Sequence, residues 1–393
     1  MISLIDARQI ISDHVGPRAS VSVPLKEALG RVLAEPVLAD ADYPKGDRSM
    51  MDGYAIRAGD GPGEFRLTGE AAAGATKSLA LGPGETVRVF TGAVVPEGTD
   101  RVVKQEDVQR DGARILIPAC DGPRFLREHA SEAKAGLEVL ATGTKLGPAE
   151  LAILAQVGVT TPRVIGQPVI RHLATGQELV GPEVSPDDGQ IRDTNSTLLA
   201  AQITNLELSI SHSQRAPDDL NQLVALAGQP SDLLLISGGA SVGDYDFGAK
   251  ALRELGYHIH FDRVNLRPGK PLTFATKGDQ AAFVIPGNPV SHFVCWHVAI
   301  RSAVEKMLGL IPEWSLVTLK LHAGESLTSD TRETWWPARA FVRDGQFLVT
   351  PKSWSSSGNS FSLAGTNALV RVNAESPREG FADTLLLDVP GCL

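Results

Sequence analysis

The sequence predicts a multidomain protein of mixed α/β and β class, with a doubly wound parallel sheet at its centre, a small β domain inserted before it and a β barrel or sandwich after it. Three observations carry that expectation. Between residues 168 and 311 short apolar runs alternate with helical stretches, which is the pattern of strands joined by covering helices. On both sides the texture changes to short alternating runs, and 39 Gly and 25 Pro supply the turns such segments need. At 393 residues the chain is long enough for about two to four domains.

Taken in order, LIDARQIISDHV carries an apolar stripe at Leu4, Ile5, Ile10, Ile11 and Val15 and predicts a helix; VPLKEALGRVLAEPV reads as a second, closed by Pro36. From 46 to 135, the runs GEFRLTGEAAAG, ETVRVFTGAVVPEGTD and RVVKQEDVQRDGARILIP predict a compact β domain. LGPAELAILAQVGV has Pro148 in its first turn and Gly158 past its end, so it predicts a helix. Packed back on the N-terminal helices, it makes residues 1–45 and 136–167 one helical linker domain and the β domain an insertion.

Within 168–311 the strands are PVIRHLA, LELSISH, SDLLLIS and AAFVIP; the helices are STLLAAQITN, PDDLNQLVALAG, DFGAKALRELG and NPVSHFVCWHVAIRSAVEKMLG. Residues 312–393 return to alternation in WSLVTLKLHAGESL, ARAFVRDGQFLVTP, NALVRVNAE and DTLLLDV.

Composition removes several classes of function. A net charge of −9 without a dense basic run disfavours sequence-independent nucleic-acid binding, which needs many phosphate-neutralising cations. Cys120, Cys295 and Cys392 are too far apart for a disulfide framework or a CxxC site, which fits a reducing cytoplasm. The charged N-terminus and the lack of a long apolar stretch predict a soluble protein that neither carries a secretory signal nor spans a membrane. His129, His172, His292 and His297 show no metal-ligand spacing with Cys, and His292 and His297 sit in an apolar helix as core or surface residues.

In an open α/β sheet ligands bind beyond the carboxyl ends of the strands. Three loops there have suitable chemistry. ISGGASVGDYDF offers Gly238 and Gly239 for close backbone approach, the Ser237 and Ser241 hydroxyls, and Asp244 and Asp246 for a hard cation bridging to phosphate. VIPGNPVSHF runs a strand into Gly287, Asn288 and Pro289. HLATGQELV supplies Thr175, Gly176 and Glu178, and IRDTNS adds Asp193 and Asn195. Between them NLRPGKPLTF holds Arg267 and Lys270 on a bend suited to an anion. One Gly-Gly turn is commonly a tight connection and no more. Three such loops and a cationic bend in one sheet argue for a shared site.

These segments, with DRSMMDGYAIR and TGAVVPEGTDRVVKQED ahead of them, occur in the order and spacing of the molybdopterin molybdotransferase (molybdenum insertase, MoeA-like) family, which the whole chain resembles. The resemblance implies an elongated four-part subunit in which the α/β domain binds molybdopterin. It implies a homodimer whose cleft joins the inserted domain of one subunit to the α/β and barrel domains of the other. The implied reaction inserts molybdate into adenylylated molybdopterin with Mg²⁺ and releases AMP; molybdopterin adenylyltransferase and molybdoenzyme chaperones are the implied protein partners.

By the same resemblance Asp52, Thr91, Glu178, Asp244 and Lys270 are catalytic. Asp244, Asp246 and Glu178 hold the metal. Ser237, Gly238, Gly239, Ser241, Asp193, Asn195, Arg267, Gly287, Asn288, Pro289, Arg332 and Ser357 bind substrate. Gln177, Arg267 and Ala130-Ser131-Glu132 depart from the family pattern. Those departures leave an alternative: a paralogue that binds pterin or cofactor and serves as a scaffold or chaperone. A lone pterin adenylyltransferase has the α/β domain without the others, and the extra domains here argue against it.

Overall fold

The computed structural model describes residues 1–74, 79–239, 247–312, 314, 316–322, 327, 331–373 and 380–387. It divides into two compact units, one of residues 1–22, 30–34 and 163–393 and the other of 23–29 and 35–162.

The first unit is built on a six-stranded sheet in the order His212–Ala216, Ile170–Thr175, Leu233–Ser237, Gln280–Ile285, Thr273–Lys277, His258–Phe261. The first four strands are parallel, in the doubly wound manner expected. The last two extend the sheet antiparallel. Alternation sets the two faces. Ile170, Leu233, Leu235, Phe283 and Ile285 join the core that includes Leu4 and Ile11 of helix α1 (Leu4–His14), Leu199 and Ile203 of α3 (Thr194–Thr204), and the long helix running from Pro289 to Met307. Leu173, Leu234, Ile236, Ala282 and Val284 face Leu223 of α4 (Leu220–Ala227) and Leu252 of α5 (Phe247–Glu254). All five residues of Leu233–Ser237 are buried, as befits a central strand covered on both faces.

Two expected elements came out differently. The predicted second helix is a single 3₁₀ turn, Leu25–Glu27. Gly30 then adopts φ +73°, a left-handed turn that no helix continues, and Leu33 bridges Val164 instead. The predicted LELSISH strand is also displaced: the pairing residues are His212–Ala216. Glu207 at φ +60° breaks the chain there, and Leu206, Leu208 and Ile210 reach the core from irregular backbone.

The C-terminal strands Leu316–Leu321, Glu333–Arg343, Gln346–Pro351, Ala368–Val372 and Phe381–Leu386 close into a ring, because Glu333–Arg343 pairs with both Gln346–Pro351 and Ala368–Val372. Its interior takes Ala338, Ala340, Ala368 and Ala382 beside Leu319, Val349, Val370 and Val372, small side chains that suit a narrow barrel. Leu266–Arg267 pairs with Glu333–Thr334, which attaches the RPGKP bend to the barrel.

The second unit holds the other six-stranded sheet, ordered Thr99–Lys104, Gly53–Arg57, Glu85–Val89, Gly63–Ala71, Arg114–Ile117, Gln109–Asp111. Helix α2 (Pro148–Gln156) belongs to it, with Pro148 in the first turn and Gly158 at φ +75° beyond the end, as expected. Among the described residues no helix is long and apolar enough to cross a membrane.

Candidate ligand site at the strand tips

The parallel strands Ile170–Thr175, Leu233–Ser237 and Gln280–Ile285 end on the same edge, and their loops enclose a cavity of about 600 Å³. Thr175, Gly176 and Glu178 line it from the first loop, Ser237, Gly238 and Gly239 from the second, Pro286, Gly287 and Asn288 from the third. Asp193 and Asn195 line it as well, as does Lys270 from the bend. The separate sequence motifs therefore share one hollow. Ser241, Asp244 and Asp246 lie outside the described residues.

The glycines are there for space. Gly238 has φ +90°, and a Cβ on it would stand 2.6 Å from the Thr175 carbonyl oxygen. Its N–H donates to the Ile285 carbonyl at 3.0 Å, so three neighbouring strand ends meet at this residue. A Cβ at Gly287 would come within 3.5 Å of Gly238 Cα. Asn195 Nδ2 donates to the Gly287 carbonyl at 2.7 Å, while Asn195 Oδ1 is buried without a hydrogen-bond partner.

The polar residues divide into free and engaged. Glu178 and Lys270 are exposed at the cavity. Asp193 caps α3, its carboxylate accepting from the Ser196 N–H at 3.0 Å and from the Ser196 hydroxyl. The Ser237 hydroxyl is 2 % exposed and bonded to two imidazoles, at 2.9 Å from both His172 Nε2 and His292 Nε2. Burial holds both rings neutral, pushing His172 down to about 4 and His292 to about 3.

Other expected residues lie apart from the wall. Pro289 starts the helix after Asn288 and is not in the lining; Asn288 Nδ2 donates to Ser357 Oγ at 2.9 Å, which brings the barrel's Ser357-Gly358 against this loop. The Arg267 guanidinium lies 5.6 Å from the centroid of the Trp354 ring, outside the lining. Arg332 immediately precedes the residues that pair with Leu266–Arg267. In the second unit Asp52 Oδ1 accepts from both the N–H and the hydroxyl of Thr91, each at 2.8 Å, and these bonds hold its carboxyl below the usual carboxylate range. Gly53 beside it leaves room for the Val103 carbonyl, which a Cβ would meet at 2.1 Å.

Sequence reasoning missed Asp218, Arg263 and Phe247, all in the cavity wall. Asp218 Oδ2 accepts from the Gln177 N–H at 3.2 Å, so a carboxylate stands beside one of the residues that depart from the family pattern. Asp218 directly precedes Asp219, whose side chain caps the following helix, and nothing in PDDLNQL itself marks it as a cavity residue. Among the described residues no three His, Cys, Asp or Glu side chains are grouped to hold a metal ion.

An open sheet with a glycine-floored hollow at its strand tips, preceded and followed along the chain by β modules, defines a small-ligand-binding α/β protein. Comparison with known proteins narrows the class. Residues 2–158 match the MoeA N-terminal region (domain I and II), 171–306 a probable molybdopterin binding domain, and 320–380 the MoeA C-terminal region (domain IV). The molybdopterin molybdenumtransferase of Nostoc sp. is 36 % identical over 94 % of this chain and 88 % of its own; that of Staphylococcus aureus is 29 % identical over 93 % and 90 %. A crystal structure of the molybdopterin biosynthesis MoeA protein from Pyrococcus horikoshii superposes with a TM-score of 0.84 at 26 % identity, covering 98 % of this chain and 99 % of that one. The chain belongs to the molybdopterin molybdenumtransferase family.

Proposed function

We propose that this protein is a transferase of molybdenum cofactor biosynthesis that binds adenylylated molybdopterin in the strand-tip cavity, takes up molybdate and releases AMP. The observation that carries this reading is the convergence of Gly238, Gly239, Gly287, Glu178 and Lys270 on one hollow in a chain related to such enzymes along nearly its whole length. The glycines let backbone approach a phosphate. Lys270 then offsets charge on the leaving AMP.

The donor set suits Mg²⁺. Glu178 presents a carboxylate at the cavity, the hard oxygen ligand this ion prefers, and Asp244 and Asp246 belong to the same proposed set. When bound, the ion supplies electrostatic stabilisation of the phosphate as its anhydride bond breaks. The molybdate oxyanion is assigned to the Ser357-Gly358 end of the site, beside Asn288, and Arg332 is assigned to it as a cation by the family resemblance. Asp52 and Thr91 are assigned to the reaction from the inserted β domain, in a homodimer located in the cytoplasm. What favours an enzyme over a scaffold is likeness to named transferases at full length, together with Asp218 beside Gln177.

The purified chain given adenylylated molybdopterin, molybdate and Mg²⁺ should release AMP. Lys270→Ala is expected to lower that rate by about 10²-fold, the usual cost of removing one charge-stabilising donor. Tight pterin binding with no AMP from the unaltered chain would sink the transferase reading.

A further inference from the structure

Beneath the cavity floor lies a polar chain that the proposed reaction does not use. Ser213 Oγ is 3.0 Å from His172 Nδ1, and Ser237 Oγ joins His172 Nε2 to His292 Nε2. The two histidines are fully buried, and His292 Nδ1 has no hydrogen-bond partner. Each member sits on an element that delivers a cavity loop: His172 on the strand ending at Thr175, Ser237 at the strand tip before Gly238, His292 on the helix after Asn288.

Ser237 Oγ has one proton and two lone pairs, and the two Nε2 atoms are its only hydrogen-bond partners among the described residues, so its proton is satisfied only when one Nε2 accepts from it while the other donates to it. A buried N–H without an acceptor is rarer than a buried lone pair without a donor, so the unpaired His292 Nδ1 is the one without hydrogen. His292 therefore donates from Nε2 to Ser237 Oγ, Ser237 donates to His172 Nε2, and His172 donates from Nδ1 to Ser213. The Ser237 proton is thus committed inward and is withheld from any ligand.

Resting on the transferase reading above, we propose that His172 and His292 are positioning residues: through the single Ser237 hydroxyl they lock the Thr175, Gly238 and Asn288 loops in the arrangement that receives the AMP moiety of the substrate. They touch neither substrate nor reacting atoms.

The test uses the full chain labelled with ¹⁵N-histidine and AMP as the probe. Long-range ¹H–¹⁵N spectra at neutral pH should show His172 as the Nδ1–H form and His292 as the Nε2–H form, and Ser237→Ala should shift both rings while leaving His297 unchanged. Mixed tautomers, or rings indifferent to Ser237→Ala, would overturn the inference. By calorimetry His172→Leu and His292→Leu should each weaken AMP binding about tenfold, and the double variant no further, since either change already frees the shared hydroxyl. Unchanged affinity, or losses that multiply, would overturn it too. Unaltered protein that meets both expectations yet releases no AMP would support the inference and defeat only the transferase reading.

Discussion

Gly238→Ala is expected to abolish detectable AMP release and to destabilise the unit that holds the sheet. Two costs combine at this residue. At φ +90° an L-residue is strained by about 1–3 kcal/mol. The new methyl would also meet the Thr175 carbonyl oxygen at 2.6 Å and Thr175 Oγ1 at 2.8 Å, and relieving that overlap costs roughly another 1–3 kcal/mol. Because the Gly238 N–H is tied to Ile285, the turn cannot move away without breaking a bond between strand ends. A melting curve and an AMP-release assay on the variant decide the matter. Gly59 makes a control, since it has φ +88° with nothing near its Cβ, and its alanine variant should pay the strain and keep the activity. Equal activity in the two variants would show that crowding at the floor is irrelevant.

Acid should unfold this protein sooner than its carboxylates alone require. Burial pushes His172 down to about 4 and His292 and His297 to about 3, whereas each titrates near 6.5 when unfolded. The folded state refuses protons that the unfolded chain accepts, so the stability from neutral imidazoles is whole above pH ~6.5 and drains away as pH falls toward 4. By pH 5 each ring costs about 2 kcal/mol, and three together approach the stability of an ordinary domain. Urea unfolding between pH 7.5 and 5 should show the loss, and His297→Leu should flatten it. A midpoint that holds constant over that range would refute the claim.

Much of the α/β domain was legible because its determinants are local. An apolar run such as Leu233–Ile236 followed by two glycines announces both a central strand and the turn after it. The strand-tip glycines, Glu178 and Lys270 could be named for the same reason. What escaped depended on distant partners. Nothing around Asp218 distinguishes a cap from a cavity wall until the Gln177 N–H arrives from another loop. The His172–Ser237–His292 chain spans 65 and 55 residues of sequence, and each histidine reads alone as core filler. The helix expected from Val23 to Pro36 failed because periodicity is indifferent to one left-handed glycine, whereas a helix is not.

None of the barrel's described residues lines the hollow, yet its Glu333–Thr334 edge holds Leu266–Arg267, and Lys270 follows three positions later. A shortened protein ending at residue 311 would keep its glycine floor and lose the anchor that fixes the lysine's stance. The terminal module is thus a buttress, and an engineer who trims it as a dispensable tail removes a foundation of the cavity wall.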